Sequence, residues 1–357
     1  MALLRFFLYH ILMRITELTV DNFRNHTHTT LQLAPGVNVL VGPNGQGKTN
    51  LLEAIYLSCV GRGWRTSRDN EMVQFGKERA LVQVTALKKF GTVNVAIQLG
   101  TGLKKSIAIN QVPIAKVAEL MGQINCIFFS PDELKLVKEA PADRRRFINI
   151  DLSQIDKSYF YALARYNKIL QQRNAYLKDN QDPRELAIWD DQLIQQGNII
   201  ITKRQAFIQQ LTPYVADKHK ILTGGKEKIT LTYETCANFA QELAAARERD
   251  LRLRTTTVGP HRDDLAIMIN GQDVRVFGSQ GQQRTVALSI KLAELDLFTT
   301  LTGERPILLL DDVFSELDSS RRARLLIAIA DTQTIITATD VPTSGKIFTV
   351  NNGTVKA

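Results

Sequence analysis

Cysteine is scarce in this chain: three in 357 residues, Cys59, Cys126 and Cys236, far apart and with no CxxC pair. That excludes a disulfide framework and a cysteine zinc module, and it fits a reducing compartment. After the first dozen residues no apolar run is long enough to span a bilayer, so the chain reads as cytoplasmic. Acidic excess is also missing. The formal net charge is +9, which favours acidic partners, nucleic acid foremost. With 44% hydrophobic and 23% charged residues the composition is neither disordered nor fibrous.

Met1–Leu12 is apolar apart from Arg5 and His10, like the start of a signal peptide, but it lacks a small-residue cleavage site. An alternating pattern begins at Met13-Arg14-Ile15, and residues 1–12 are read as an upstream start or a disordered extension.

Period-two alternation over 81–87, 93–99 and 106–109 predicts an antiparallel meander with lysine pairs, Lys88-Lys89 and Lys104-Lys105, in its turns. The middle of the chain changes to helical spacing. Tyr159, Leu163, Tyr166, Leu170 and Leu177 share one helix face. Leu186, Leu193, Ile200 and Phe207 recur every seven residues on a second helix, bracketed by Pro183 and Pro213. Strands return with a hairpin, Leu265–Ile269 and Val274–Phe277, about an Asn270-Gly271 turn. A helix from about Gln282 to Thr299 comes next. The apolar run Ile307–Leu310 then reads as a strand buried on both faces.

Between a predicted strand, Val37–Val41, and a predicted helix, Asn50–Cys59, lies Gly42-Pro43-Asn44-Gly45-Gln46-Gly47-Lys48-Thr49, which fits G-x-x-x-x-G-K-S/T. Glycines there let backbone N–H groups close on phosphate oxygens in front of a helix N-terminus, with Asn50 just inside. Lys48 would reach the β- and γ-phosphates, and the Thr49 hydroxyl would ligate Mg²⁺. At the end of the apolar strand, Asp311 would sit beside that Mg²⁺, and Asp312 would polarise the attacking water. Gly278-Ser279-Gln280-Gly281-Gln282-Gln283-Arg284 resembles the LSGGQ signature of ABC ATPases: Ser279 can cap the helix, and Gly281 admits an anion to its N–H groups. Ser315 and Asp318, in Ser315-Glu316-Leu317-Asp318, are similar to the D-loop of that class. In ABC proteins the signature of one subunit completes the nucleotide site of another. ATP and Mg²⁺ are thus the expected cofactors, and a homodimer closed by ATP the expected assembly.

With these motifs, and with Leu18–Asn25, Gly61–Asp69, Pro141 through Arg144-Arg145-Arg146-Phe147, and Thr257–Leu265, the chain from Met13 onward resembles the RecF family, bacterial recombinational-repair ATPases related to SMC proteins. The resemblance implies an α/β fold: an ABC-type P-loop head, with a mixed core sheet and an antiparallel meander, interrupted by a helical arm. The head is expected over 13–135 and 254–357, the arm over 136–253. It also implies ATP-dependent dimerisation, slow DNA-stimulated hydrolysis, and RecA loading with RecO and RecR at single-strand gaps. The sequence departs from ABC transporters in having no switch histidine in Ile335–Asp340. The Q-loop position stays open between Asp132 or Glu133 and Gln123. His261, after Gly259-Pro260, reads as a turn residue rather than a catalytic one.

DNA, single- or double-stranded, would meet one of two basic surfaces. One is the meander tips with Lys88, Lys89, Lys104 and Lys105. The other is the helix from Lys157 to Lys178, with Arg165, Lys168 and Arg173 and no acid between its ends. Arg144–Arg146 would serve either the nucleotide site or the base of the arm. Three further readings compete. A transporter ATPase subunit fits poorly with the helical insert between Lys48 and Ser279. A chromosome-organising SMC protein needs a far longer coiled coil than the insert Pro141–Leu253 allows. A nucleotide-gated, SMC-like scaffold with negligible catalysis, recruiting partners through the arm, keeps the same site.

Overall fold

The computed structural model describes residues 13–179, 183–341 and 345–356, so the expected N-terminal extension lies outside the described residues. Four strands and a hairpin partner open the chain: β1 (Arg14–Phe23), β2 (His26–Gln32), β3 (Val37–Val41), β4 (Arg79–Lys88) and β5 (Gly91–Gly100). Next come β6 (Leu103–Ile109), β7 (Val112–Ile114), β8 (Cys126–Phe129), β9 (Ile229–Glu234), β10 (Asp264–Ile269) and β11 (Gln272–Asp273). The last are β12 (Ile307–Asp311), β13 (Thr334–Ala338), β14 (Lys346–Asn351) and β15 (Thr354–Lys356). The chain packs as two units, one joining everything up to Glu133 to everything from Leu288, the other running from Leu134 to Ala287. Residues 254–287, expected with the head, are thus counted with the second unit.

The first unit holds two sheets. The meander is antiparallel, in the order β2-β1-β4-β5-β6-β7. The other sheet has the order β15-β14-β3-β13-β12-β8, and β14, β3, β13, β12 and β8 run parallel. As its composition requires, Ile307–Leu310 is at most 1% exposed at every position. Between the sheets runs the helix Lys48–Val60, touching β1, β4 and β5 on one side and β8, β12 and β13 on the other. Eleven of its thirteen residues are buried, so both sheets dock on it without leaving a polar face.

In the second unit the helices Lys157–Asp179 and Pro183–Thr223 lie side by side. Leu186, Leu193 and Ile200 are fully buried and Phe207 is nearly so, as the seven-residue repeat implies. The second helix does not stop at Pro213, which sits inside its 41 residues. One missing N–H is outweighed by the buried stripe that continues through Leu211 and Val215. The hairpin also differs from expectation: Asn270 (φ 50) and Gly271 (φ 82) make the turn, but its second strand is only Gln272–Asp273. Asp273 then caps a short helix, Val274–Phe277, because its carboxylate accepts the Arg275 N–H. The next helix spans Gln280–Thr302, longer than the periodicity gives.

Candidate nucleotide site

Four parallel strands bring the site together. In the register Asp311 is level with Thr337, and Thr337 with Leu40, while Leu310 pairs with Phe129. Hence β3, β13, β12 and β8 end at one edge, the place where open α/β sheets bind ligands.

From Val41 the chain turns into Gly42–Thr49. Gly42 stands at φ 155, and a Cβ there would lie 2.3 Å from the Val350 carbonyl oxygen. Gly47 stands at φ 112, with Asn25 Oδ1 at 2.6 Å and His26 Nε2 at 2.7 Å from the same imagined atom. Only glycine fits either position. The loop rests on partners the sequence reading did not assign. Asn25 Nδ2 donates to the Gln46 carbonyl and Asn25 Oδ1 accepts from Asn50 Nδ2. His26 Nε2 lies 3.0 Å from the Gly47 carbonyl, and Nδ1 meets Thr29 and the Gly353 carbonyl. Burial holds this imidazole below its ordinary pKa, against the pull of those two carbonyls. The turn after β14 completes the support, Asn352 N–H donating to Gln46 Oε1 and Gly353 N–H to the Gln46 carbonyl. Asn25 belongs to the motif Leu18–Asn25, but only folding shows what it touches.

Lys48 is 8% exposed, and its ammonium donates to the carbonyls of Gly42 (2.5 Å) and Pro43 (2.8 Å). Burial lowers its pKa, opposed by the charges of Asp312 and Asp311. Two hydroxyls, Thr49 and Thr337, each donate to Asp311 Oδ1 at 2.7 Å. Thr337 Oγ1 also accepts the Asp312 N–H at 2.9 Å. It stands in the strand that lacks the transporter histidine and ties the two aspartates together. Asp312 adopts φ 52, a left-handed turn that swings its exposed carboxylate away from the strand line.

These groups line a cavity of ≈ 570 Å³ together with Asn44–Asn50, Trp64, Arg65, Ser130, Pro131 and Asp132. Of the Q-loop candidates Asp132 lines it, whereas Gln123 donates to the Glu119 carbonyl and is not part of the lining. Trp64 and Arg65 went unassigned in the sequence. Trp64 stacks on Phe128 at 4.0 Å and meets the edge of Tyr56. Arg65 is held by Glu53, a fully buried carboxylate that also binds Arg24. Burial pushes the Glu53 carboxyl up, but the bonds from Arg65 and Arg24 outweigh it and hold it below the usual range.

In the second unit, Ser279 and Gln282 cap each other: Ser279 Oγ accepts the Gln282 N–H at 3.2 Å, and Gln282 Oε1 accepts the Ser279 N–H at 2.8 Å. Gln280 follows Ser279, and Gly281 is half-buried in the first turn, which holds no acid. In the first unit, Ser315 Oγ donates to the Asp312 carbonyl and Asp318 caps the helix Ser319–Ala328.

The basic surfaces need correction. Lys88-Lys89 and Lys104-Lys105 lie at opposite ends of the ten-residue strand β5, about 30 Å apart, and form no common tip. Lys88 donates to the Gly122 and Gln123 carbonyls and pairs with Glu304, and Lys105 pairs with Asp69. Lys89 and Lys104 are exposed. Arg173 is fully buried, bound to Asp190 at 2.7 Å and Asp250 at 2.8 Å, and so offers no surface to DNA. Arg165 and Lys168 stay exposed. Arg144 makes a two-point bond to Asp264 and Arg145 donates to the Asp263 carbonyl, so both brace the second unit. His261 lies between the Tyr166 hydroxyl and the Thr256 carbonyl, with burial taking its pKa down to about 4.

Comparison with known proteins places this geometry. The family model described as "RecF/RecN/SMC N terminal domain" matches residues 14–351. A DNA replication and repair protein RecF from Agathobacter rectalis is 44% identical, over 92% of this chain and 92% of that one. Its counterpart from Clostridium perfringens is 41% identical over 96% and 100%. A solved structure described as the recombination mediator protein RecF-ATPrS in the RecFOR pathway superposes with TM-score 0.92 at 35% identity, covering 97% of this chain and 98% of that one. An Smc head domain from Pyrococcus furiosus, 16% identical with TM-score 0.59 over 97% and 96%, shares the fold. The chain belongs to the RecF family of DNA replication and repair proteins, ATPases of the ABC type.

Proposed function

We propose that the protein is an ATP-dependent clamp in recombinational repair. It binds ATP with Mg²⁺ at Gly42–Asn50, dimerises on it, engages DNA and hydrolyses the nucleotide slowly. The observation that carries this is the convergence of Thr49, Asp311 and Thr337 within hydrogen-bond reach at the mouth of the glycine loop. A solved relative described as RecF-ATP in the RecFOR pathway, at TM-score 0.91 and 35% identity, supports the nucleotide.

The donor set suits a hard cation. A hydroxyl and one carboxylate are what Mg²⁺ takes from a protein when phosphates and waters supply the rest. Thr49 and Asp311 would hold it, and it would offset phosphate charge. Lys48, already desolvated, exchanges the Gly42 and Pro43 carbonyls for β- and γ-phosphate oxygens. Asp312, turned out by its left-handed backbone, orients and polarises the attacking water. Ser279, Gln280, Gly281 and Gln282 of a second copy meet the γ-phosphate with a helix end that carries no acid of its own. Ser315 and Asp318 lie at that junction.

DNA contacts fall to Lys89, Lys104, Arg165 and Lys168, acting on phosphates without reading sequence. RecO, RecR and RecA are the partners that family membership supports, with gapped DNA as the substrate. No helix among the described residues is long and apolar enough to cross a membrane, and we assign the cytoplasm. Light-scattering mass with ATP and Mg²⁺, with and without gapped duplex, tests the reading. Wild type doubles in mass, and Ser279→Arg stays single while binding nucleotide. Doubling by Ser279→Arg rejects the shared site.

A further inference from the structure

One carboxylate outside the nucleotide cavity is held as if it had work to do. Glu227 follows the turn after the long helix Pro183–Thr223, and its side chain is about four-fifths buried, at 20% exposure. Its Oε2 lies 2.9 Å from Nε2 of His219, which is fully buried on that helix. Its Oε1 accepts from Gln282 Nε2 at 3.0 Å. Gln282 Oε1 in turn accepts the Ser279 N–H, and Ser279 Oγ accepts the Gln282 N–H. Four residues therefore form one chain of hydrogen bonds from the core of the second unit to an exposed serine.

The chemistry of each link fixes the next. An ionised carboxylate only accepts, so His219 must present Nε2–H to it. A glutamine amide has two faces that differ by a half-turn, one able to cap Ser279 and one that would set N–H against N–H. Glu227 attracts the NH₂ end and thereby selects the capping orientation. With Ser279 Oγ already accepting from Gln282, its own proton is free to donate outward. The first turn of the helix holds no acid, and the carboxylate that orders it reaches Gln282 from outside the helix.

We infer that Glu227, seated on His219, is a positioning residue for the signature: it presets the Gln282 amide so that Ser279 meets a phosphate of a second copy's nucleotide. This rests on the reading that Ser279–Gly281 completes the site in trans. Glutamate at position 282 would undo the arrangement, because two carboxylates would face each other.

The test compares wild type, Glu227→Ala, Glu227→Gln, Gln282→Glu and Ser279→Arg by light-scattering mass against protein concentration with ATP and Mg²⁺. Binding of a fluorescent ATP analogue to dilute monomer and the melting temperature are measured beside it. Loss of a charge-assisted bond predicts dimerisation about tenfold weaker for Glu227→Ala, with monomer nucleotide binding unchanged and melting lowered by only a few degrees as His219 loses its partner. Glu227→Gln keeps an acceptor for Gln282 and restores dimerisation to within about threefold. Gln282→Glu weakens it at least as much as Glu227→Ala. Wild-type dimerisation by Glu227→Ala while Ser279→Arg fails overturns this inference alone. Dimerisation by Ser279→Arg overturns the trans reading beneath it. A fall in monomer binding for both Glu227 variants, or equal loss of dimerisation by Glu227→Ala and Glu227→Gln, makes the residue a general support and overturns the inference as well.

Discussion

Replacing Thr337 by valine removes one hydroxyl and keeps the shape of the side chain. That hydroxyl donates to Asp311 at 2.7 Å and accepts the Asp312 N–H at 2.9 Å. A bond to an ionised carboxylate contributes about 1.5–3 kcal/mol, and an orphaned buried N–H costs about 1–3 kcal/mol. Asp312 is exposed, so water can satisfy its N–H and the second figure sits at its low end. Asp311 also keeps its bond from Thr49. The expected loss of stability is about 2 kcal/mol, a fall of a few degrees in melting temperature. Hydrolysis suffers more. The left-handed turn at Asp312 is anchored by that N–H, and a displacement near 1 Å lowers a rate by about 10²-fold. Affinity for ATP, set mainly by the glycine loop and Lys48, should change by less than about threefold. Single-turnover hydrolysis and fluorescent-nucleotide titration on folded Thr337→Val separate the two effects. Hydrolysis within about twofold of wild type would refute a role for Thr337 in holding the aspartate pair.

Gly47→Ala puts a methyl 2.6 Å from Asn25 Oδ1 at a backbone φ of 112, and nucleotide binding measured by titration should fall by about 10²-fold or more. Arg173→Met leaves the fully buried Asp250 without its cation, while Asp190 keeps Arg247, and should cost about 3–5 kcal/mol by denaturant unfolding. The DNA affinity of its folded fraction should not change. Arg165→Glu with Lys168→Glu should instead leave stability intact, weaken binding to gapped duplex at all sequences, and reduce the salt slope by about two. His261 binds its proton with a pKa of about 4 when folded, below the ordinary value of 6.5, so the unfolded chain takes up that proton first as pH falls. Stability is therefore full above about pH 6.5 and declines toward pH 4, and His261→Gln should flatten that slope in pH-dependent melting.

The residues legible in the sequence are those whose geometry is local. A glycine loop between a strand and a helix, an apolar strand ending in aspartates, and a serine before a helix each carry their conformation in a few adjacent positions. The seven-residue repeat of Leu186, Leu193, Ile200 and Phe207 is of the same kind, and all four are buried. What stayed hidden depends on distant partners. Arg173 on a helix without acids reads as solvated, yet its carboxylates come from Asp190 and Asp250, supplied by other helices. Lys88 and Lys105 read as free charges until Glu304 and Asp69 meet them. Asn25, His26 and Thr337 support the site from positions distant in the chain, and Glu53, one turn into the loop's own helix, finds its cations at Arg24 and Arg65. Pro213 shows that a local stop signal yields where a buried stripe continues past it.

The central claim is that each nucleotide is shared between two copies, and mixing two defective variants tests it most directly. Lys48→Arg spoils the glycine-loop side, and Ser279→Arg spoils the signature side. Each alone should hydrolyse little ATP. Mixed in equal amounts with Mg²⁺ and gapped DNA, they should recover hydrolysis well above either alone and at most about half of wild type, because a mixed dimer holds one intact site of its two. A mixture no more active than its components would contradict the shared site.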